Sequence, residues 1–137
     1  MKIISFAKTT AALLAGRKTV TRRYWNPRHA ESFKPGEIVQ AWDKSPRYGG
    51  KKVAEIKIVA VYKEMMKDAP EEDYVKEGFQ YMCDNNIALY KIGKNEQLPN
   101  EAYWRWWKTT KDERWIQPYV VRFEVVKILM KLKRSKK

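Results

Sequence analysis

The chain has 137 residues, enough for one domain with a modest core. It is 44% hydrophobic and 33% charged, with a mean hydropathy of −0.70, which suits a small domain with a polar surface. No stretch approaches the roughly 20 apolar residues of a membrane span, and Lys8 breaks the first apolar run too early for a secretory signal. No membrane association and a cytoplasmic location are therefore expected. A single cysteine, Cys83, excludes an internal disulfide and a cysteine metal cluster. A single histidine, His29, excludes a histidine-pair ribonuclease mechanism in one chain and weighs against a zinc deaminase. No metal and no cofactor are expected, and Cys83 reads as a partly buried small residue. The formal net charge of +13 predicts a polyanionic partner such as RNA, with DNA not excluded; the competing reading is a charge that serves solubility alone. Much of it sits in the last residues, at Lys127, Lys131, Lys133, Arg134, Lys136 and Lys137.

In chain order, Ile3 to Phe6 reads as a first strand. Thr9 or Thr10 is placed to cap a helix filled by Ala11 to Ala15, and Gly16 to end it in a left-handed conformation. The β-branched Thr19, Val20 and Thr21 predict an extended path. Asn26-Pro27 and Lys34-Pro35-Gly36 bracket an irregular loop. Glu37 to Trp42 is the next strand, with Val39 and Ala41 inward, and Asp43 to Lys51 a turn or hairpin loop. Val53 to Tyr62 is the clearest long strand, with Ile56, Ile58, Ala60 and Tyr62 on one face. Asp68 is placed to cap a helix that begins with Pro70, Glu71 and Glu72 and stops at Gly78. Residues 81–100 are poorly patterned. Glu101 to Lys111 reads as a helix. Tyr119 to Leu129 is a closing strand, with Val121, Phe123 and Val125 on one face and Val120, Arg122 and Glu124 on the other.

This order predicts a mixed α+β domain: a small, curved, barrel-like sheet flanked by short helices. Residues 1–130 form the single domain and 131–137 a basic tail.

The chemistry concentrates in Gly16-Arg17-Lys18-Thr19-Val20-Thr21-Arg22-Arg23, with four cations and two hydroxyls in eight positions. Lys18 is either a charged contact for phosphate or carboxylate, or a base. As a base it must lose its proton, which burial and the neighbouring Arg17, Arg22 and Arg23 favour and a nearby carboxylate opposes. In an extended strand Thr21 faces away from Lys18, an objection to their direct cooperation that a bend would remove. Arg22 and Arg23 suit recognition of phosphate or a base edge, or pairing with Asp43 or Glu77. Trp42, Asp43 and Lys44 end a strand, where side chains commonly line clefts; Trp42 is either a stacking surface or core, and Asp43 an acceptor for an exocyclic amine or a lysine. Glu77 lies at the unfavourable carboxyl end of its predicted helix, with Glu64 and Glu124 as substitutes for its role. Tyr103, Trp104, Trp106 and Trp107 form either a stacking platform or a cap on the core.

The run Leu14-Ala15-Gly16-Arg17-Lys18-Thr19-Val20-Thr21-Arg22-Arg23 carries Gly16, Lys18 and Arg22 in a Gly-x-Lys-x-x-x-Arg pattern. With residues 34–39, Glu77-Gly78-Phe79 and the terminal Val120 to Glu124, it resembles the ASCH domain of the PUA-like superfamily from Ile3 to about Ile128. The resemblance implies a small PUA-like β-barrel with a cleft beside the first helix, suited to RNA or a modified nucleoside. One branch of that family implies a metal-independent amidohydrolase that removes the acyl group from N4-acetylcytidine. Lys18 would then be the base, Thr21 the nucleophile or positioner of water, and Glu77 the orienting or proton-transfer group. Arg17, Arg22, Arg23, Trp42, Asp43 and Lys44 would contact the substrate. The chain departs from that branch in its loop at 24–33 and its aromatic segment near Tyr103. Three functions follow as alternatives: the amidohydrolase, an RNA-binding module without turnover that uses the cleft around Arg22 and Arg23, and a structural or partner-binding protein. Oligomeric state is not read from the sequence.

Overall fold

The strands are β1 (Ile3–Ser5), β2 (Val20–Arg23), β3 (Ile38–Trp42), β4 (Lys52–Lys63), β5 (Tyr90–Ile92), β6 (Asn95–Gln97) and β7 (Tyr119–Ile128). The helices are α1 (Thr10–Leu14), α2 (Pro27–Glu31), α3 (Asp73–Lys76), α4 (Phe79–Asp84), α5 (Glu101–Thr109) and α6 (Glu113–Ile116). They belong to a computed structural model that describes residues 1–130. The basic tail at 131–137 lies outside the described residues.

Five strands form one curled sheet in the order β1-β3-β4-β7-β2, a mixed α+β half-barrel. β1 runs parallel to β3, and the other pairs are antiparallel. The valine and isoleucine alternation explains the inner face: Ile4, Val39, Ala41, Ile56, Ile58, Val121 and Phe123 are buried together with Phe6, Leu13 and Phe33. The two edges face each other across the mouth of the half-barrel. Arg23 on β2 spans them, donating through Nη2 to the Ser5 carbonyl of β1 at 2.6 Å. Its guanidinium also lies 5.4 Å from the centre of the Phe6 ring.

A second core, built from Ala12, Met66, Ala69, Phe79, Met82, Trp104 and Trp107, joins the helices. The Arg22 guanidinium of β2 lies 6.0 Å from the centre of the Trp104 ring in this core. Thr21 pairs with Val121 and shares the inner face, whereas Arg22 pairs with Val120 and points outward with Arg122.

Several expectations are corrected. Residues 26–36 are not all irregular, because α2 forms there: Asn26 Oδ1 accepts from the His29 amide at 2.8 Å and Pro27 occupies the first turn. Neither Thr9 nor Thr10 caps α1; their hydroxyls donate to the Phe6 and Ala7 carbonyls instead. Asp68 closes a 3-10 turn at Met66–Asp68 rather than capping a helix, and α3 starts only at Asp73. The unpatterned segment 81–100 holds most of α4 and the β5–β6 hairpin. Ala60 and Tyr62 do not share the inner face with Ile56 and Ile58. A bulge between Ile58 and Ala60 inserts one residue, which inverts the alternation and turns Val61 onto the core.

One close approach positions the site. Gly78, at φ +93°, joins α3 to α4; a Cβ there would lie 2.6 Å from the Ala12 Cβ and 3.4 Å from the Lys18 Cβ. Only glycine lets this turn settle on α1 and on the segment leading into β2. The Thr19 amide then donates to the Lys76 carbonyl at 2.9 Å, which pins that segment to α3.

Candidate functional site

Glu77 ends α3 directly before Gly78 and so meets Lys18. The Lys18 amine donates to Glu77 Oε1 at 3.0 Å and to the Glu77 carbonyl at 2.9 Å. Both residues are enclosed, at 1% and 2% exposure. Arg22 Nη1 donates to Glu77 Oε2 at 2.9 Å, so the carboxylate bridges two cations. Arg22 Nη2 also reaches Asp73 Oδ2 at 2.5 Å and Glu64 Oε1 at 3.1 Å. Arg122 donates to both Asp73 oxygens, at 3.1 and 2.8 Å, and through Nε to the Tyr62 hydroxyl at 2.8 Å. A continuous ionic chain thus runs from Lys18 through Glu77, Arg22 and Asp73 to Arg122.

The local reason is geometric. Asp73 and Glu77 are four residues apart, which puts both carboxylates on one side of the turn. Arg22 and Arg122 share the outward face of adjacent strands and meet them there.

Burial pushes the Lys18 amine below its ordinary pKa. Glu77 opposes this by charge and hydrogen bonding, while Arg23 and Arg22 add to the lowering. Burial also lowers Arg23 against the opposing charge of Glu77. For Asp73, burial alone would raise the pKa, but the hydrogen bonds and charges of Arg122 and Arg22 hold the carboxyl below its ordinary value.

Of the residues singled out in the sequence, Lys18, Glu77 and Arg22 come together, and Glu64 joins them. Arg22 is committed to three carboxylates and fully enclosed, leaving no face for a phosphate. Thr21 lies on the other face of β2, and its Oγ1 accepts from Arg23 Nε at 3.1 Å. No hydrogen bond joins Thr21 to Lys18 among the described residues, in keeping with the strand-parity objection.

Arg17 is exposed beside a small cavity with Gln80, Tyr81 and Asp84. Trp42 is half-buried, its Nε1 donating to Gln40 Oε1 at 2.9 Å, and Asp43 Oδ1 accepts from the Lys51 amide at 2.7 Å, closing the loop. Lys44 is exposed. Glu124 is exposed on β7, and Cys83 is half-buried with its sulfur 3.4 Å from the Tyr74 hydroxyl. Trp104 and Trp107 are core, while Trp106 is exposed.

Asp73 and Arg122 were missed as site residues. Their signals were the four-residue spacing to Glu77 and the outward parity of Arg122 on the closing strand.

Beside the barrel mouth, Arg23, Tyr24, Trp25, Asn26, Lys63 and Tyr119 are among the residues lining a concavity of about 460 Å³. Tyr24 is 66% exposed and Lys63 is exposed, with its amine 5.4 Å from the centre of the Tyr119 ring. Trp25 is fixed by stacking on Phe33 at 4.8 Å.

No family model matches the chain, and no curated protein matches it in sequence. Solved structures do. A protein of Enterococcus faecalis V583, of family model DUF984, aligns with a TM-score of 0.53 at 14% identity, over 98% of this chain and 85% of that one. The ASCH domain from Lactobacillus crispatus JV V101 aligns with a TM-score of 0.47 at 16% identity, over 87% of this chain and 72% of that one. The first alignment establishes a shared fold. A fold of this kind carries no function with it. No helix among the described residues is long and apolar enough to cross a membrane.

Proposed function

We propose that this protein binds RNA or a modified nucleoside in the concavity at the barrel mouth. The observation that carries this reading is the lining itself: Arg23 and Lys63 supply positive charge beside the rings of Tyr24 and Tyr119 in one hollow. Cations that track phosphates, joined to rings on which bases stack, are the elements of single-strand recognition. The net charge of +13 supports the same partner. Arg22 takes no part, because its guanidinium braces α3 against the sheet.

The test is fluorescence anisotropy of a labelled single-stranded RNA at rising salt. Affinity is expected to fall steeply with salt. Lys63→Ala should reduce the salt slope by about 0.7, one released counterion on a single strand. Tyr24→Ala should weaken binding about 5-fold or more with the slope kept. Binding that ignores salt, or that neither change affects, sinks the reading.

A second reading, hydrolysis of N4-acylcytidine, is favoured by one observation: a buried lysine, biased toward its neutral form, against a carboxylate. Neutral Lys18 would take a proton from water as the oxygen attacks the acyl carbonyl. The C–N bond would then break, and the proton would pass to the departing cytosine amine, giving cytidine and a carboxylate. Glu77 would orient the amine. Thr21, on the far side of β2, would act through Arg23 rather than as the nucleophile. Chromatographic detection of cytidine from N4-acetylcytidine decides the point: turnover should be lost in a Lys18→Ala variant whose circular dichroism matches that of the parent. No release by the folded parent, or release unchanged in Lys18→Ala, removes the enzyme reading and leaves the binding one.

A further inference from the structure

The β5–β6 hairpin and the first turns of α5 enclose a second hollow, of about 480 Å³, lined by Tyr90, Gln97, Asn100, Ala102, Tyr103 and Trp106. It lies outside the ionic chain and outside the barrel mouth. Its walls are an array of aromatic rings. Tyr90 stacks on Tyr103 at 5.1 Å and 30°, and Tyr103 lies 5.7 Å from Trp106 at 31°. Trp106 ends the array, and at 56% exposure it is a large ring left in solvent. Its neighbours Trp104 and Trp107 are buried in the helical core, so the packing of α5 does not need Trp106.

The polar groups around these rings are neutral. Asn100 Oδ1 is used as the cap of α5, accepting from the Tyr103 amide at 3.0 Å. The Asn100 Nδ2 and the Gln97 side-chain amide make no hydrogen bond among the described residues. Asn100 Nδ2 can donate to a heterocycle, and the Gln97 side-chain amide can both donate to it and accept from it. No Lys, Arg, Asp or Glu lines the hollow, so nothing there would hold a phosphate. The volume suits a ligand the size of a nucleoside. Burial and the charges of Glu77 and Tyr90 push the Tyr103 phenol up to about 12, which keeps it neutral.

We infer that this hollow is a nucleobase-binding pocket, in which a base stacks on the Trp106–Tyr103 array and is read at its edge by Gln97 and Asn100. The inference rests on the RNA or nucleoside reading above and adds a site to it. Charge attracts the backbone at the barrel mouth, and stacking holds a base here. A free nucleoside and an unstacked base of RNA offer the same chemistry, so the test has an arm for each.

The first arm follows intrinsic fluorescence of the full chain as cytidine, N4-acetylcytidine or adenosine is added. Saturable quenching is expected in the parent and absent in Trp106→Ala. The second arm is the labelled-RNA measurement. Trp106→Ala should weaken binding about 5- to 150-fold, the range of one lost base stack. Its salt slope should stay that of the parent, since no cation is removed. Gln97→Ala should change the ranking of the bases more than overall affinity. Circular dichroism is expected to show each variant folded, since the sites are exposed or half-buried. If Trp106→Ala binds RNA and nucleosides like the parent, the pocket is not a base site, and the salt-dependent RNA reading stands without it. If nucleoside quenching depends on Trp106 while RNA fails to bind even at low salt, the pocket stands as a nucleoside site and the RNA reading falls. If neither ligand binds, both are overturned.

Discussion

Asp73 receives two guanidinium groups, Arg22 and Arg122, while fully buried. Enclosing charges in this way costs several kcal/mol per ion, and the mutual attraction offsets this only when geometry and hydrogen bonding are good. Breaking such a set from one side is worse, because it strands buried charge. Asp73→Asn should therefore destabilise the fold by about 3–5 kcal/mol, measured by urea denaturation. The pH dependence has a definite sign. The Asp73 carboxyl is held below its ordinary value in the fold, so its contribution is fully present above the unfolded pKa. It is lost as pH falls through the lower folded value. The parent should lose stability on acidification over that window, and Asp73→Asn should show a flatter profile. A variant as stable as the parent at neutral pH would mean that the ionic chain contributes nothing net.

The elements that matter most for the site are short, and they are placed by contact rather than by propensity. The four residues of α3 are too few to form a stable helix alone. They are held by the Thr19 amide, by the ionic chain and by the Gly78 turn. Gly78→Ala should cost about 2–4 kcal/mol, combining a left-handed conformation with a Cβ driven into Ala12. Gly16→Ala is the control: its φ is +73°, but no atom lies within 4 Å of the new Cβ. The cost there should be about 1 kcal/mol, from the backbone alone. Equal melting-temperature losses in the two variants would show that the approach to Ala12 carries no strain. Local chemistry also explains which elements were legible beforehand. The long strands β4 and β7 repeat valine and isoleucine over ten or more residues, so their period stands out. α4 and the β5–β6 hairpin are three to six residues each, below the length at which a period can be read.

For the molecule as a whole, charge is divided by depth. The buried cations are balanced by Glu64, Asp73 and Glu77, whereas the excess behind the +13 lies mainly outside this chain of pairs. On the RNA-binding proposal, association should therefore be driven by surface lysines and arginines. Substitution of Arg22 should act on folding rather than on the salt slope. Comparing Arg22→Gln with Lys63→Ala separates the two: the first should lower the melting temperature and the second the slope. A lowered slope in a stably folded Arg22→Gln would show that the buried arginine does meet phosphate.

The sequence by itself determined the mixed α+β class, the inward Val39 of β3, Ile56 and Ile58 of β4 and Val121 and Phe123 of β7, and the left-handed stop at Gly16. Each depends on residues adjacent in the chain or on a short period. It also marked Lys18, Arg22 and Glu77, because a dense basic run and a glutamate before a glycine stand out locally. Only the tertiary structure decided what these residues do together. Lys18 and Glu77 are 59 positions apart in the chain, and their meeting depends on the turn at Gly78 and on the pinning of Thr19 to α3. Tertiary packing likewise enclosed Arg22 and inverted β4 at its bulge. These outcomes depend on which surfaces meet, and no local pattern encodes that.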